Sequence, residues 1–266
     1  MNESLNSLTP SKNPQLVRFL AEQGYRLFSQ KEARDVAIQN SLEITNMTRT
    51  LVLLKAQGWI HSLKRDLYVL DSVLIGGQPI HEFEIATRLV TPCAISHLSA
   101  FHFHELTDQI PQIVFATTLT HASVPRTPRG ELFTCQGVRY HYSQVREPHF
   151  FGIEKVWVGD VQISITDLER TLLDGLIKPK NCGGFMEVLS AYRSLNELNL
   201  SKLIDYALRL DVSVAKRLGW ILEQVGTEDE TLASLMALPF AGFIKLDASG
   251  EKKGPYNHRW QIQENI

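Results

Sequence analysis

Four apolar residues, Ile44, Met47, Leu51 and Leu54, recur at intervals of three, four and three before Gly58. That spacing puts them on one stripe of a helix and turns Thr45, Asn46, Thr48, Arg49 and Val52 largely the other way. A helix apolar on one stripe needs neighbours, and the chain ahead of it supplies two. Ser11 or Asn13 can cap a first helix that tolerates Pro14 in its early turn, carries Leu16, Phe19 and Leu20, and ends at Gly24. Ser29 with Glu32 three residues on forms a capping box, each side chain satisfying one orphan N–H, and opens a short second helix with Ala33, Val36 and Ala37 inward. Asn40 and Ser41 break it, and the third helix is expected from about Glu43 to Gly58.

After Gly58 the period changes to two. Trp59 and Ile60 enter a strand, Lys64-Arg65-Asp66 makes a turn, and Leu67-Tyr68-Val69-Leu70 returns. Three helices and a basic hairpin over residues 1–75 predict a winged helix-turn-helix. A helix about 10–12 Å across fits a DNA major groove about 12 Å wide, while a hairpin tip lies against the neighbouring backbone. Arg49 and Asn46 are the expected base readers, a guanidinium fork matching guanine and an amide matching adenine, with Thr48 on the same face. Thr45, Ser29, Lys31, Lys64 and Arg65 are expected on phosphates, where they position the protein without reading sequence. The plainer alternatives are a solvated face, or the same fold used for protein contact.

Charge points to the same end of the chain. The net charge is −2, but residues 1–75 hold nine Lys+Arg against seven Asp+Glu, whereas the remainder holds 18 against 22. The first part is thus +2 and the rest −4, so a phosphate backbone is better met near the N-terminus.

Gly76, Gly77 and Pro79 mark a linker, and a second domain is expected over residues 80–266. It begins with helices from about His81 to Leu89 and from Ser96. Strands follow at Gln112–Thr118, at Glu131–Cys135 with Val138–Tyr142, and at Lys155–Val158 with Val161–Ile165, the last two pairs being hairpins. Thr166 with Glu169 then reads as a second capping box. Further helices run from Phe185 to Arg193, from Ser201 to Leu210, from Ser213 to Val225 and from Glu228 or Asp229 to Leu238, before a strand pair at Phe243–Leu246 and Tyr256–Ile262. Hairpins segregated from helices predict an α+β chain, a winged helix-turn-helix followed by a larger mixed domain with antiparallel hairpins and a helical C-terminal part.

With 44% hydrophobic and 21% charged residues the composition is that of a soluble globular chain. The polar start, Met1 to Asn13, and the lack of an apolar run near 18 residues speak against secretion and membrane insertion. Cys93, Cys135 and Cys182 form an odd set with no CxxC, which suits reduced thiols. His97, His102 and His104 do not converge on a helix, so no metal site is expected. Gly183-Gly184 has neither phosphate-loop pattern around it, and no cofactor is expected. Asp167, Glu169 and Asp174 could suggest nucleotidyl-transfer metal ligands, but they fall in one capped helix and suit its N-terminal dipole. An enzymatic, nucleotide-handling C-terminal domain and a pure protein-interaction module are the competing functions.

Several stretches together resemble the AbiEi family. They are Leu54, Gly58, Trp59-Ile60, Arg65 and Leu67-Tyr68-Val69-Leu70; then Ile95-Ser96-His97-Leu98-Ser99-Ala100 and Leu106-Thr107-Asp108-Gln109-Ile110-Pro111; then Glu169-Arg170-Thr171-Leu172-Leu173-Asp174, Gly183-Gly184, Arg217-Leu218-Gly219 and Tyr256-Asn257-His258-Arg259-Trp260. The resemblance spans nearly the whole chain. It implies a cytoplasmic autorepressor and antitoxin of a bacterial type IV toxin–antitoxin, abortive-infection system. Such a protein binds inverted repeats in double-stranded DNA ahead of its own gene and opposes a nucleotidyltransferase-like toxin without a stable complex. One departure is the wing turn, Arg65-Asp66-Leu67 where members often have Arg-Gly-Leu, which sets an acid where phosphate is expected.

Overall fold

A computed structural model describes residues 12–77, 80–125, 127, 132–195 and 197–266. Ser11, Pro79 and Glu131, expected as a cap, a linker residue and a strand end, lie outside the described residues. The architecture is α+β, and the chain divides into two compact units, Met1–Leu89 and Val90–Ile266.

In the first unit α1 (Lys12–Glu22) leads through β1 (Leu27–Phe28) to α2 (Gln30–Gln39) and α3 (Met47–Ala56), followed by β2 (Ile60–Lys64), β3 (Leu67–Leu70) and α4 (Glu82–Leu89). The strands are antiparallel in the order β1-β3-β2, with Phe28 opposite Tyr68 and Ile60 opposite Leu70. Leu16, Leu20, Phe28, Val36, Leu51, Leu54, Ile60 and Leu70 fill a common core. The foreseen capping box is present at α2, both reciprocal bonds included. Gly58, at φ +76°, ends α3 with its N–H on the Lys55 carbonyl while the Trp59 N–H reaches the Leu54 carbonyl.

Three features differ from the sequence reading. The third helix starts at Met47 rather than near Glu43, because Asn46 caps it by accepting the Arg49 N–H at 3.0 Å. β1 was not foreseen, since two residues carry no periodicity. The helix now seen as α4 belongs to the first unit, so the division falls at Leu89 and not at the Gly76–Gly77 turn. Long-range polar contacts hold it there. Arg88 binds Glu32 at 2.7 Å, Arg26 lies 3.8 Å from Glu84, and the Lys64 ammonium donates to the Leu89 carbonyl.

The second unit centres on a six-stranded sheet in the order β6-β7-β5-β4-β9-β8. Its strands are β4 (Cys93–Ile95), β5 (Ile113–Leu119), β6 (Phe133–Cys135), β7 (Val138–Val145), β8 (Ile153–Val158) and β9 (Val161–Thr166), with α5 (His97–Phe103) between β4 and β5. The two foreseen hairpins, β6-β7 and β8-β9, are antiparallel, while β5-β7 and β4-β9 are parallel, so the sheet is mixed. The helices α6 (Leu168–Ile177), α7 (Phe185–Ser194), α8 (Leu200–Leu208), α9 (Val212–Gln224) and α10 (Asp229–Met236) follow. Their core includes Leu172, Leu176, Val188, Leu218, Ile221, Leu232 and Trp260. A small sheet of β10 (Ile244–Lys245), β11 (Tyr256–Asn257) and β12 (Ile262–Gln263) replaces the expected strand pair.

Other caps are corrected too. Asp167, not Thr166, caps α6 by accepting the Arg170 N–H, because Thr166 is still the last residue of β9. Asn199 caps α8 in place of Ser201, and Asp211 stands before α9 in place of Ser213. Among the described residues no helix is long and apolar enough to cross a membrane.

Candidate nucleic-acid interface

α3 is amphipathic because Met47, Thr50, Leu51 and Leu54 are buried, which leaves Thr48, Arg49, Val52 and Leu53 exposed. Its first turn is therefore open, with Thr48 beside α2 and the hairpin and Arg49 exposed next to it. A cleft of about 580 Å³ runs between these elements, lined by Gln30, Lys31 and Arg34 of α2, Thr48 of α3, and Arg65, Asp66 and Tyr68 of the β2–β3 hairpin. Lys31, Arg34, Arg49 and Arg65 are exposed, and among the described residues none of these four side chains is held in an ion pair. Cations of this kind carry counterions in water, and exchanging those for phosphates releases them.

Two acids near the cleft have partners. Asp66 sits at φ +60° at the hairpin tip, and its Oδ1 accepts the Gln30 N–H at 2.9 Å, at the positive end of α2. Glu32 accepts from the Ser29 N–H at 2.6 Å and from Arg88 at both carboxylate oxygens. Burial works to raise the Glu32 pKa, but the bonds from Arg88 and Ser29 outweigh it and hold the carboxyl below its ordinary value.

Of the eight residues expected to meet DNA, the structure brings Lys31, Thr48 and Arg65 into one cleft and leaves Arg49 and Thr45 exposed. Three have partners within the fold. The Ser29 hydroxyl accepts the Glu32 N–H at 3.2 Å and donates to the Glu32 carboxylate at 2.7 Å, so it serves the helix cap. The Lys64 ammonium is turned inward to the Leu89 carbonyl, half-buried, and burial lowers its pKa. The Asn46 carboxamide oxygen accepts the Arg49 N–H, so that side chain serves the α3 cap. Arg34, Gln30 and Tyr68 were missed. For Arg34 the signal was there: it lies one turn beyond Lys31, and residues three apart are neighbours on a helix surface.

In the second unit several groups that could carry chemistry are engaged. The Lys202 ammonium bridges Asp167 at 3.2 Å and Glu169 at 2.7 Å, and the Tyr206 hydroxyl donates to Asp167 at 3.0 Å. Arg170 and Asp174 form a buried pair at 3.0 Å. His97 is buried against the Ser96 hydroxyl, His104 meets the Thr166 carbonyl, and His102 is exposed. Among the described residues no three His, Cys, Asp or Glu side chains are grouped to hold a metal ion. The three cysteines are buried thiols, and burial pushes that of Cys93 up to about 12.

No family model matches the chain, and no curated protein sequence matches it. Among solved structures it is similar to the RV2827C protein from Mycobacterium tuberculosis, known as a crystal structure. The TM-score is 0.60 at 11% identity, over 95% of this chain and 91% of that one. At that identity the likeness is one of fold.

Proposed function

We propose that this chain is a sequence-specific regulator that binds double-stranded DNA through its first unit, working as a winged helix-turn-helix. The observation that carries the proposal is the cleft in which Lys31, Arg34 and Arg65 converge on Thr48, beside the exposed Arg49 in the first turn of α3. α3 takes the recognition role because recognition helices present their N-terminal residues to base edges. Lys31, Arg34 and Arg65 contact backbone phosphates, and Arg49 reads a base.

The resemblance to the AbiEi family extends the proposal to a cytoplasmic autorepressor acting on inverted repeats ahead of its own gene, and to an antitoxin against a nucleotidyltransferase-like toxin, with no stable complex. No metal, cofactor or turnover is needed for this role. Lys202 lying across Asp167 and Glu169 counts against the enzymatic alternative, since it fills the place a catalytic cation would take.

The test is a salt titration of binding to the upstream duplex and to a random duplex of equal length. Preference for the upstream duplex is expected, and Arg49→Ala should cost about 1–3 kcal/mol there while relaxing the preference at one base position. Equal binding to both duplexes, or an Arg49→Ala protein indistinguishable from the parent, would refute the assignment. Co-expression with the neighbouring gene product tests the antitoxin role, which predicts rescue of growth without co-purification.

A further inference from the structure

We propose that the last turn of α4 is a clamp that sets the spacing of the basic cleft's two walls, with Arg88 and Lys64 as positioning residues. The inference rests on the DNA-binding function proposed above. One wall is α2, which brings Lys31 and Arg34, and the other is the hairpin, which brings Arg65. Two consecutive residues of α4 hold one wall each.

Arg88 grips the start of α2. Its Nη2 donates to Glu32 Oε1 at 2.8 Å and Oε2 at 2.7 Å, and to the Leu27 carbonyl at 3.3 Å in the strand just before. Glu32 in turn takes the Ser29 N–H and hydroxyl, so the guanidinium fixes the capping box from outside. Leu89 holds the hairpin, its carbonyl accepting from the Lys64 ammonium at the end of β2. A third tie closes the frame across the cleft, Asp66 at the hairpin tip accepting the Gln30 N–H. A lysine meant for phosphate would keep its ammonium in water, whereas this one is half-buried on a carbonyl. Leu89 is followed directly by the first residue of the second unit, so the clamp is also where the chain leaves the DNA-binding unit.

A positioning cation and a phosphate contact differ in one measurable way. Removing a phosphate contact lowers the slope of log K against log salt by about 0.9, and removing a positioning group leaves the slope alone. The experiment uses the full chain and a fluorescein-labelled duplex carrying the inverted repeat from ahead of its gene, read by anisotropy across salt. Lys64→Met and Arg88→Met should weaken binding several-fold with the parent's slope, whereas Lys31→Ala and Arg65→Ala should each lower the slope by about 0.9. A Lys64→Met slope reduced like that of Arg65→Ala, or unchanged affinity in Arg88→Met, would overturn the clamp.

Hydrogen exchange without DNA reads the clamp separately. Arg88→Met should speed exchange of the amides from Gln30 to Glu32 while those of Leu51 and Leu54 stay protected. Unchanged exchange at Gln30 to Glu32 would overturn the clamp, as would loss of protection throughout the unit, which would make Arg88 a general fold residue. Absence of any duplex binding by the parent, with the local exchange response present, would sink the function and spare the clamp.

Discussion

Gly219→Ala should destabilise the second unit although the site is helical. Gly219 lies inside α9 with ordinary helical backbone, so propensity alone favours alanine by about 1 kcal/mol. A methyl there would stand 2.0, 2.4 and 2.6 Å from three ring carbons of Trp260, where carbon atoms rest at about 3.5–4.0 Å. The indole cannot step aside. It is fully buried, its Nε1–H donates to Glu223 at 2.9 Å, and its backbone N–H donates to Asn257 at 3.1 Å. Overpacking a close-packed core costs about 1–3 kcal/mol and sometimes more, and three simultaneous clashes with a pinned ring belong at the top of that range. After the propensity gain a loss of about 2 kcal/mol remains, or about 4–8 °C in Tm for a unit of this size. Urea unfolding followed by far-UV circular dichroism measures it, and Trp260→Ala supplies the control. With the ring gone, the penalty of Gly219→Ala should vanish or change sign. An equally large penalty in the Trp260→Ala background would refute the packing account.

His97 is buried, and burial is the largest cause holding its pKa down at about 4; Asp174 pulls the other way, while Lys178, His141 and Arg170 add to the depression. The unfolded chain therefore binds a proton that the folded one refuses, so the second unit should lose stability as pH falls from about 6.5 toward 4. His97→Asn, which suits the φ of +53°, should flatten urea midpoints over that window, and an unchanged slope would count against it. Glu32 has its pKa held below the ordinary 4.5, so its contribution is full above that value and is lost as pH falls through the folded pKa. In Glu32→Gln the acid limb of the first unit's unfolding should shrink, and an unaltered limb would say that the bonds to Arg88 and Ser29 contribute nothing. A thiol reagent should modify Cys93, Cys135 and Cys182 only at the rate of unfolding, because all three are buried; rapid labelling of native protein would contradict that placement.

What was legible in the sequence was local. Ser29 and Glu32 sit three residues apart, and the box they predict forms with both bonds, since its partners are neighbours along the chain. Leu51 and Leu54 are buried as their spacing requires, and the hairpins around Gly137 and Gly159 fall where turn residues separate alternating runs. What was not legible depends on distant partners. Lys64 reads as a hairpin cation until a carbonyl 25 residues away is seen to take it, and α4 reads as the start of a new domain until Arg88 is seen on Glu32, 56 residues back. β1 and β4 are too short for any pattern, and only their pairing with β3 and β5 defines them.

Several residues in the stretches that carry the family resemblance in the second unit serve packing and internal bonding. Gly219 makes room for Trp260. Arg217 donates to the carbonyls of Lys245 and Leu176, and Arg170 pairs with Asp174. Thr107 donates to Glu187, and Ser99 accepts the Phe115 N–H at 2.9 Å. Such residues define a scaffold and are poor guides to what its surface does. Lys202 and Arg259 are likewise engaged by carboxylates, and Lys216 by the Met236 carbonyl. Lys31, Arg34 and Arg65 differ in lining one cleft while, among the described residues, no ion pair holds them. A buried cation must be paired or its charge is costly, but an exposed one is kept at no cost to folding and remains available to a ligand. That contrast, more than the net +2 of residues 1–75, directs attention to the cleft between α2, α3 and the hairpin.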